Sequence, residues 1–340
     1  MSPRTPIPQT GDRTTLANSI STFLKDNPDL HLGGDDDFHQ ERRHHLEVFG
    51  WHNLPESKRT PIGDVEFTAV RGPHGTIPIR LFYPKAMIEG NLKSAAALVY
   101  MHGGGYTVGS VDEFENGLRV VAEESGAVTV GVEYHLAPEH RFPIQLDEFS
   151  AVVDWFQDPK NSEPRGIDSK LIFGGGDSAG GNMTEALTLR RKDSGLRPLA
   201  GQLLLYPESR IPFDTQAGVE NNSGLYLECN GIFSFADHYL PKAPAKTVPP
   251  SHRYVSPGMQ KIEDLKGQPQ VSVFTCGFDP LRDVSIEYAH KLDKAGVDVR
   301  WFHYPDLTHG FLQMAPWSIE AMNATKEVAS ELKRMAYGKQ

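Results

Sequence analysis

Gly176-Asp177-Ser178-Ala179-Gly180 places a serine between two glycines, each two residues away. This G-x-S-x-G spacing suits a serine on a sharp turn between a strand and a helix, where bulkier neighbours would collide. The turn would expose the Ser178 hydroxyl as a nucleophile and aim a helix N-terminus at developing negative charge. A phosphate loop also uses glycines in such numbers, but Gly174 to Gly181 lacks the Gly-Lys-Ser/Thr ending. Upstream, His102-Gly103-Gly104-Gly105-Tyr106 follows the apolar run Ala96 to Met101. Glycines at a strand end let backbone N–H groups approach an oxyanion. The expected donors are the amides of Gly103, Gly104 and Ala179, each worth roughly 10²–10³ in rate.

A serine nucleophile needs a base, and the base needs an orienting carboxylate. Hydrolases with an elbow serine carry the acid and then the histidine later in the chain. The run Val271 to Cys276 ends in Gly277-Phe278-Asp279-Pro280, and the run Val297 to Tyr304 ends in Pro305-Asp306-Leu307-Thr308-His309. His309 would take the Ser178 proton, and Asp279 would hold its imidazole in the productive tautomer. His303 reads as part of a strand. Asp306 lies too near His309 in sequence to orient it, and Asp283 falls one helical turn beyond Asp279, in a structural position.

These residues need a scaffold. Val65 to Val70 and Ile77 to Phe82 flank Gly72-Pro73-His74-Gly75 and read as an antiparallel hairpin. Short apolar runs then alternate with helix-length segments. Apolar faces recur at Leu146, Phe149, Val153 and Phe156, and at Ala321, Ala324, Val328, Leu332 and Met335. That alternation implies a mostly parallel sheet covered on both sides. Residues 1 to about 60 look helical. The acidic run Gly33-Gly34-Asp35-Asp36-Asp37 reads as a solvated turn or helix start. His39, His44 and His45 read as the polar side of a helix. Residues 210 to 255 are rich in proline and aromatics and read as a lid.

The motifs His102-Gly-Gly-Gly-Tyr106, Tyr134-His-Leu-Ala-Pro-Glu-His140, Gly176-Asp-Ser-Ala-Gly-Gly181, Asp279-Pro-Leu-Arg-Asp283 and His309-Gly-Phe311 stand in register over residues 60 to 335. In this the chain resembles the hormone-sensitive-lipase family of carboxylesterases, in its branch with Asp before the nucleophile. The resemblance implies an α/β-hydrolase fold, with an eight-stranded, mostly parallel sheet flanked by helices and a mainly helical cap. The cap would comprise residues 1–60 and 210–255, and the core residues 61–209 and 256–340. The resemblance also implies a serine carboxylesterase and dimers through the edge strand near Val297 to Tyr304. The chain departs from the family at His135, where arginine is usual, and at Val284-Ser285, where Glu-Gly is common. The segment Tyr134 to Pro143 is expected to brace the oxyanion loop. An amidase or lactonase could use the same three residues. A receptor reusing the fold would be expected to lack one of them.

Composition narrows the classes further. The 340 residues are 39% hydrophobic and 23% charged, with net charge −10. An acidic surface disfavours nucleic acid and anionic membranes. No apolar run is long enough for a membrane span. Two distant cysteines, Cys229 and Cys276, fit a reducing, cytoplasmic setting. The sequons at Asn182, Asn221 and Asn323 therefore read as accidental. No cluster has metal-ligand spacing, so neither a metal nor an organic cofactor is expected, and the partner is a small ester.

Overall fold

A computed structural model of the chain describes residues 6–34, 37–92, 94–242 and 247–338, the side chains of 230–234 excepted. The hairpin forms as expected. β1 (Asp64–Gly72) and β2 (Gly75–Tyr83) pair antiparallel up to Gly72 opposite Gly75, so Pro73-His74 makes the turn. β3 (Ala95–Met101), β4 (Val128–Val132), β5 (Ile167–Asp177), β6 (Gln202–Leu205), β7 (Val271–Phe278) and β8 (Val299–Thr308) complete one sheet. Its order is β1-β2-β4-β3-β5-β6-β7-β8. β2 meets β4 antiparallel, and every later pairing is parallel.

Side chains alternate across this sheet with the two-residue period of a strand. Leu98 and Tyr100 enter one buried cluster, with α4 (Val111–Ser125) and α13 (Ile319–Tyr337). Ala97, Val99 and Met101 enter the other, with α5 (Ile144–Gln157) and α7 (Ala179–Asp193). Further along, α11 (Arg282–Lys294) covers Leu204, Val271 and Val273. The two apolar faces read from the sequence are buried in α5 and α13.

Two regions stand over the C-terminal ends of the strands. One holds α1 (Asn18–Asp26) and α2 (Phe38–Phe49). The other holds α8 (Gln216–Glu220) and α9 (Cys229–Tyr239), between β6 and β7. They join at a parallel bridge between Leu32 and Leu227. Asp37 caps α2 by accepting from the His39 and Gln40 amides. Asp35, Asp36 and Pro244 lie outside the described residues. The histidine cluster corrects the sequence reading. His39 is exposed, but His45 is buried with Glu41 and Phe49, one helical turn apart. A face carrying Glu and His looks polar in sequence, and here it points inward.

β8 also runs further than its apolar run. Its register shifts near Cys276 and resumes with Phe278 opposite Thr308, which brings His309 directly onto the strand end. The outer edge of that extension is covered by the N-terminal segment, whose Thr14 and Ala17 amides donate to the Pro305 and Asp306 carbonyls at 2.9 Å.

Candidate active site

Ser178 connects β5 to α7 with φ +53° and ψ −121°, in the left-handed region that non-glycine residues rarely occupy. Such a conformation costs on the order of 1–3 kcal/mol and persists where surrounding structure imposes it. Its amide continues the sheet by donating to the Leu205 carbonyl at 2.9 Å. A Cβ on Gly176 would strike the backbone of Gly180, and one on Gly180 would strike the Met101 carbonyl. Both glycines are therefore required by close approach, as the motif's spacing implies.

His309 and Asp279 follow β8 and β7 on the same rim of parallel strands as Ser178. His309 Nδ1 lies 2.9 Å from Asp279 Oδ2, and both side chains are buried. Asp279 Oδ1 accepts from the Leu281 amide at 2.8 Å, which fixes the plane of its carboxylate. The Tyr206 ring packs edge-on against the imidazole at 4.6 Å. The rivals stand elsewhere. Asp283 accepts from the Gly11 and Ala217 amides and pairs with Arg282. His303 contacts Thr275 and the Asp12 carbonyl from within β8. Asp306 is half-buried on β8, where its carbonyl holds the N-terminal segment.

The glycine loop needs one correction. The Gly103 amide donates to Asp177 Oδ1 at 2.8 Å, so it is turned toward the elbow and already engaged. Among the described residues the Gly104 and Gly105 amides have no such partner. Both residues have positive φ, +102° and +56°. Phe235 of α9 occupies the space a Gly105 side chain would need. Asp177, which the sequence marked only as a family variant, thus ties the elbow to this loop. Its Oδ1 also accepts from Tyr100 Oη at 2.9 Å. Burial raises Asp177 to about 6, against these two bonds, which favour the carboxylate.

The expected brace is present: Tyr134 Oη donates to the His102 carbonyl at 2.9 Å, and the Ala137 amide to the Tyr106 carbonyl at 2.8 Å. His135 pairs with the buried Glu148. Ser285 Oγ lies 2.6 Å from the Pro207 carbonyl and anchors α11 there. Asn182 and Asn221 are fully buried and hydrogen-bonded, so neither could carry a glycan.

A cavity of about 10 Å³ lies beside His309, lined by Gly104, Asp177, His45, Glu113, Tyr226 and Gln313. That is room for about one water. A hollow of about 550 Å³ lies among Asp64, Glu66, Tyr83 and Arg165, at the opposite rim from Ser178. Among the described residues no group of three or more His, Cys, Asp or Glu could hold a metal ion, and no helix is long and apolar enough to cross a membrane.

Sheet order and elbow together define the class, an α/β hydrolase with a serine at the strand–helix turn. The family model for the alpha/beta hydrolase fold matches residues 98–313. Carboxylesterase NlhH of Mycobacterium tuberculosis is 33% identical over 76% of this chain and 78% of its own. Ethyl acetate hydrolase of Pseudomonas putida is 31% identical over 74% of this chain and 76% of its own. A hyperthermophilic esterase from the archaeon Pyrobaculum calidifontis superimposes with TM-score 0.83 at 29% identity, covering 95% of this chain and 99% of its own. The chain belongs to this α/β hydrolase family, in its hormone-sensitive-lipase-like group, and is a carboxylic ester hydrolase.

Proposed function

We propose that the chain is a serine carboxylesterase for soluble esters of short acyl chains. Ser178 Oγ attacks the ester carbonyl while His309 Nε2 takes its proton. His309 then protonates the departing alkoxide, and a water hydrolyses the acyl-enzyme by the same steps. Asp279 holds the proton on Nδ1, keeps Nε2 bare and stabilises the imidazolium. The oxyanion is received by the Gly104, Gly105 and Ala179 amides at the N-terminus of α7. The observation that carries this reading is the buried 2.9 Å contact of His309 Nδ1 with Asp279 on the rim that also holds Ser178.

Residues 1–60 and 210–255 act as one cap over a core of 61–209 and 256–340. The Leu32–Leu227 bridge and the Phe38–His238 ring contact at 5.2 Å support that division. Phe235 packs onto Gly105 and Tyr226 onto Gly310, so the cap lies close over both loops, which supports a limited pocket for short acyl groups. The name of the ethyl acetate hydrolase relative agrees with this. Free Cys229 and Cys276 support a reducing, cytoplasmic setting. A dimer would form through the edge strand near Val297 to Tyr304.

A fluorophosphonate probe should label Ser178 stoichiometrically and abolish activity. Labelling elsewhere with Ser178 untouched refutes the assignment. On p-nitrophenyl esters, rates should fall once the acyl chain passes roughly eight carbons, as a small closed pocket stops filling favourably. Faster turnover of emulsified long-chain triglyceride than of butyrate esters refutes the substrate class.

A further inference from the structure

Tyr226 belongs to the segment between α8 and α9, where no sequence period suggested a role. Its φ is +83°, in the left-handed region, although its side chain is large and buried. An outlier of this kind marks a position that its surroundings over-determine. Those surroundings are the catalytic loops. The Tyr226 ring lies over Gly310, the residue after His309, so closely that a Gly310 Cβ would stand 2.8 Å from Cε1. Gly310 itself has φ +81°. One residue back, the Leu225 carbonyl lies 2.6 Å from Thr308 Oγ1. The turn carrying His309 is thus held on both sides by consecutive residues of this segment.

The same segment reaches the acid. Asn221 Nδ2 donates to the Gly277 and Asp279 carbonyls, both at 3.1 Å. Tyr226 is in turn held from the N-terminal region. Its carbonyl accepts from the Leu32 amide at 2.7 Å, and His45 Nε2 lies 3.1 Å from its hydroxyl. Gln313 Oε1 is a second, more distant acceptor for that hydroxyl's one proton, at 3.3 Å. Burial lowers His45 to about 4, so it is neutral near pH 7. Its Nδ1, 2.9 Å from the Glu41 carbonyl, must carry the proton, which leaves Nε2 to accept from Tyr226 Oη. The hydroxyl therefore ties α2 to the ring that shapes the histidine turn.

We propose that Tyr226 is a positioning residue for the catalytic base: its ring sets the His309–Gly310 turn, and its hydroxyl lets α2 govern that setting. This rests on the reading of His309 as the base. Misplacing a catalytic group by about 1 Å can cost on the order of 10²-fold in rate.

The test compares Tyr226→Phe, Tyr226→Leu, His45→Leu and Gly310→Ala on one short p-nitrophenyl ester, with active sites titrated by the fluorophosphonate. Tyr226→Leu should lower kcat about 10²-fold with KM within about threefold, since positioning acts on the transition state. Tyr226→Phe and His45→Leu should each lower kcat roughly fivefold, as one neutral hydrogen bond implies. The Gly310→Ala loss should shrink in the Tyr226→Leu background, because the colliding ring is gone, and such coupling marks direct contact. If Tyr226→Leu does not fold, the Phe and His45 variants decide. Full kcat in those variants, or losses confined to KM, overturns the proposal. His309→Gln separates the two readings. An active His309→Gln sinks the assignment of the base itself, whereas an inactive one beside fully active Tyr226 variants sinks only the role of Tyr226.

Discussion

Replacing Asp279 by asparagine isolates what the carboxylate does, because size and shape hardly change. In the native site one oxygen accepts from the Leu281 amide and the other faces His309 Nδ1 at 2.9 Å. Asparagine has one oxygen to serve both. If it stays on the Leu281 amide, its NH₂ faces His309 Nδ1, and two donors meet unless the imidazole moves its proton to Nε2. A protonated Nε2 cannot take the Ser178 proton. The wrong tautomer costs about 10⁴ in kcat in the serine-protease template, or about 5.4 kcal/mol of barrier. Asp279→Asn should therefore lose three to four orders of magnitude, roughly that template's cost, while circular dichroism stays native. Asp283→Asn is the control. It disturbs a buried cluster with Arg282, Gly11 and Ala217, so it should lower stability by about 3 kcal/mol. Its titrated active sites should still turn over within tenfold of the native rate. A folded but inactive Asp283→Asn, or an Asp279→Asn within tenfold of native, refutes the assignment.

Glu113 is buried with Oε2 unpartnered among the described residues, and burial raises it to about 8 from its ordinary 4.5. The neutral form thus favours folding below the unfolded value, and that stability is lost as pH rises toward 8. Glu113→Gln should flatten the fall in stability between pH 5 and 8 by up to about 1.4 kcal/mol per pH unit, read from urea unfolding. An unchanged slope refutes it. Gly180→Ala should cost about 3 kcal/mol or more through collision with Met101, whereas Gly195→Ala, at φ +62° in open space, should cost only about 1 kcal/mol. Equal urea midpoints for the two would contradict the elbow geometry. EDTA should leave ester hydrolysis unchanged, and activity restored only by a divalent ion would contradict a metal-free mechanism.

The candidate site was legible in the sequence wherever its placement depends on local geometry. Gly176 and Gly180 flank Ser178 because that turn admits nothing larger, and Asp279 and His309 end apolar runs because parallel strands deliver their C-termini to one rim. The helical faces of α5 and α13 were legible for the same reason, since burial imposes a regular period. The tertiary structure decided which groups were already engaged. The sequence reading took Gly103 and Gly104 as the loop's donors, yet Asp177, which is 74 residues away in the chain, engages the Gly103 amide. His45 looked like a solvated residue because its helix face also carries Glu41, and the fold buries it between the Glu41 carbonyl and the Tyr226 hydroxyl. Asn221 and Tyr226 lie in a segment with no period at all, and their partners are the loops that carry Asp279 and His309. Local sterics leave a signature in consecutive residues. Contacts between distant segments depend on how the chain returns on itself, and one sequence carries no local trace of that.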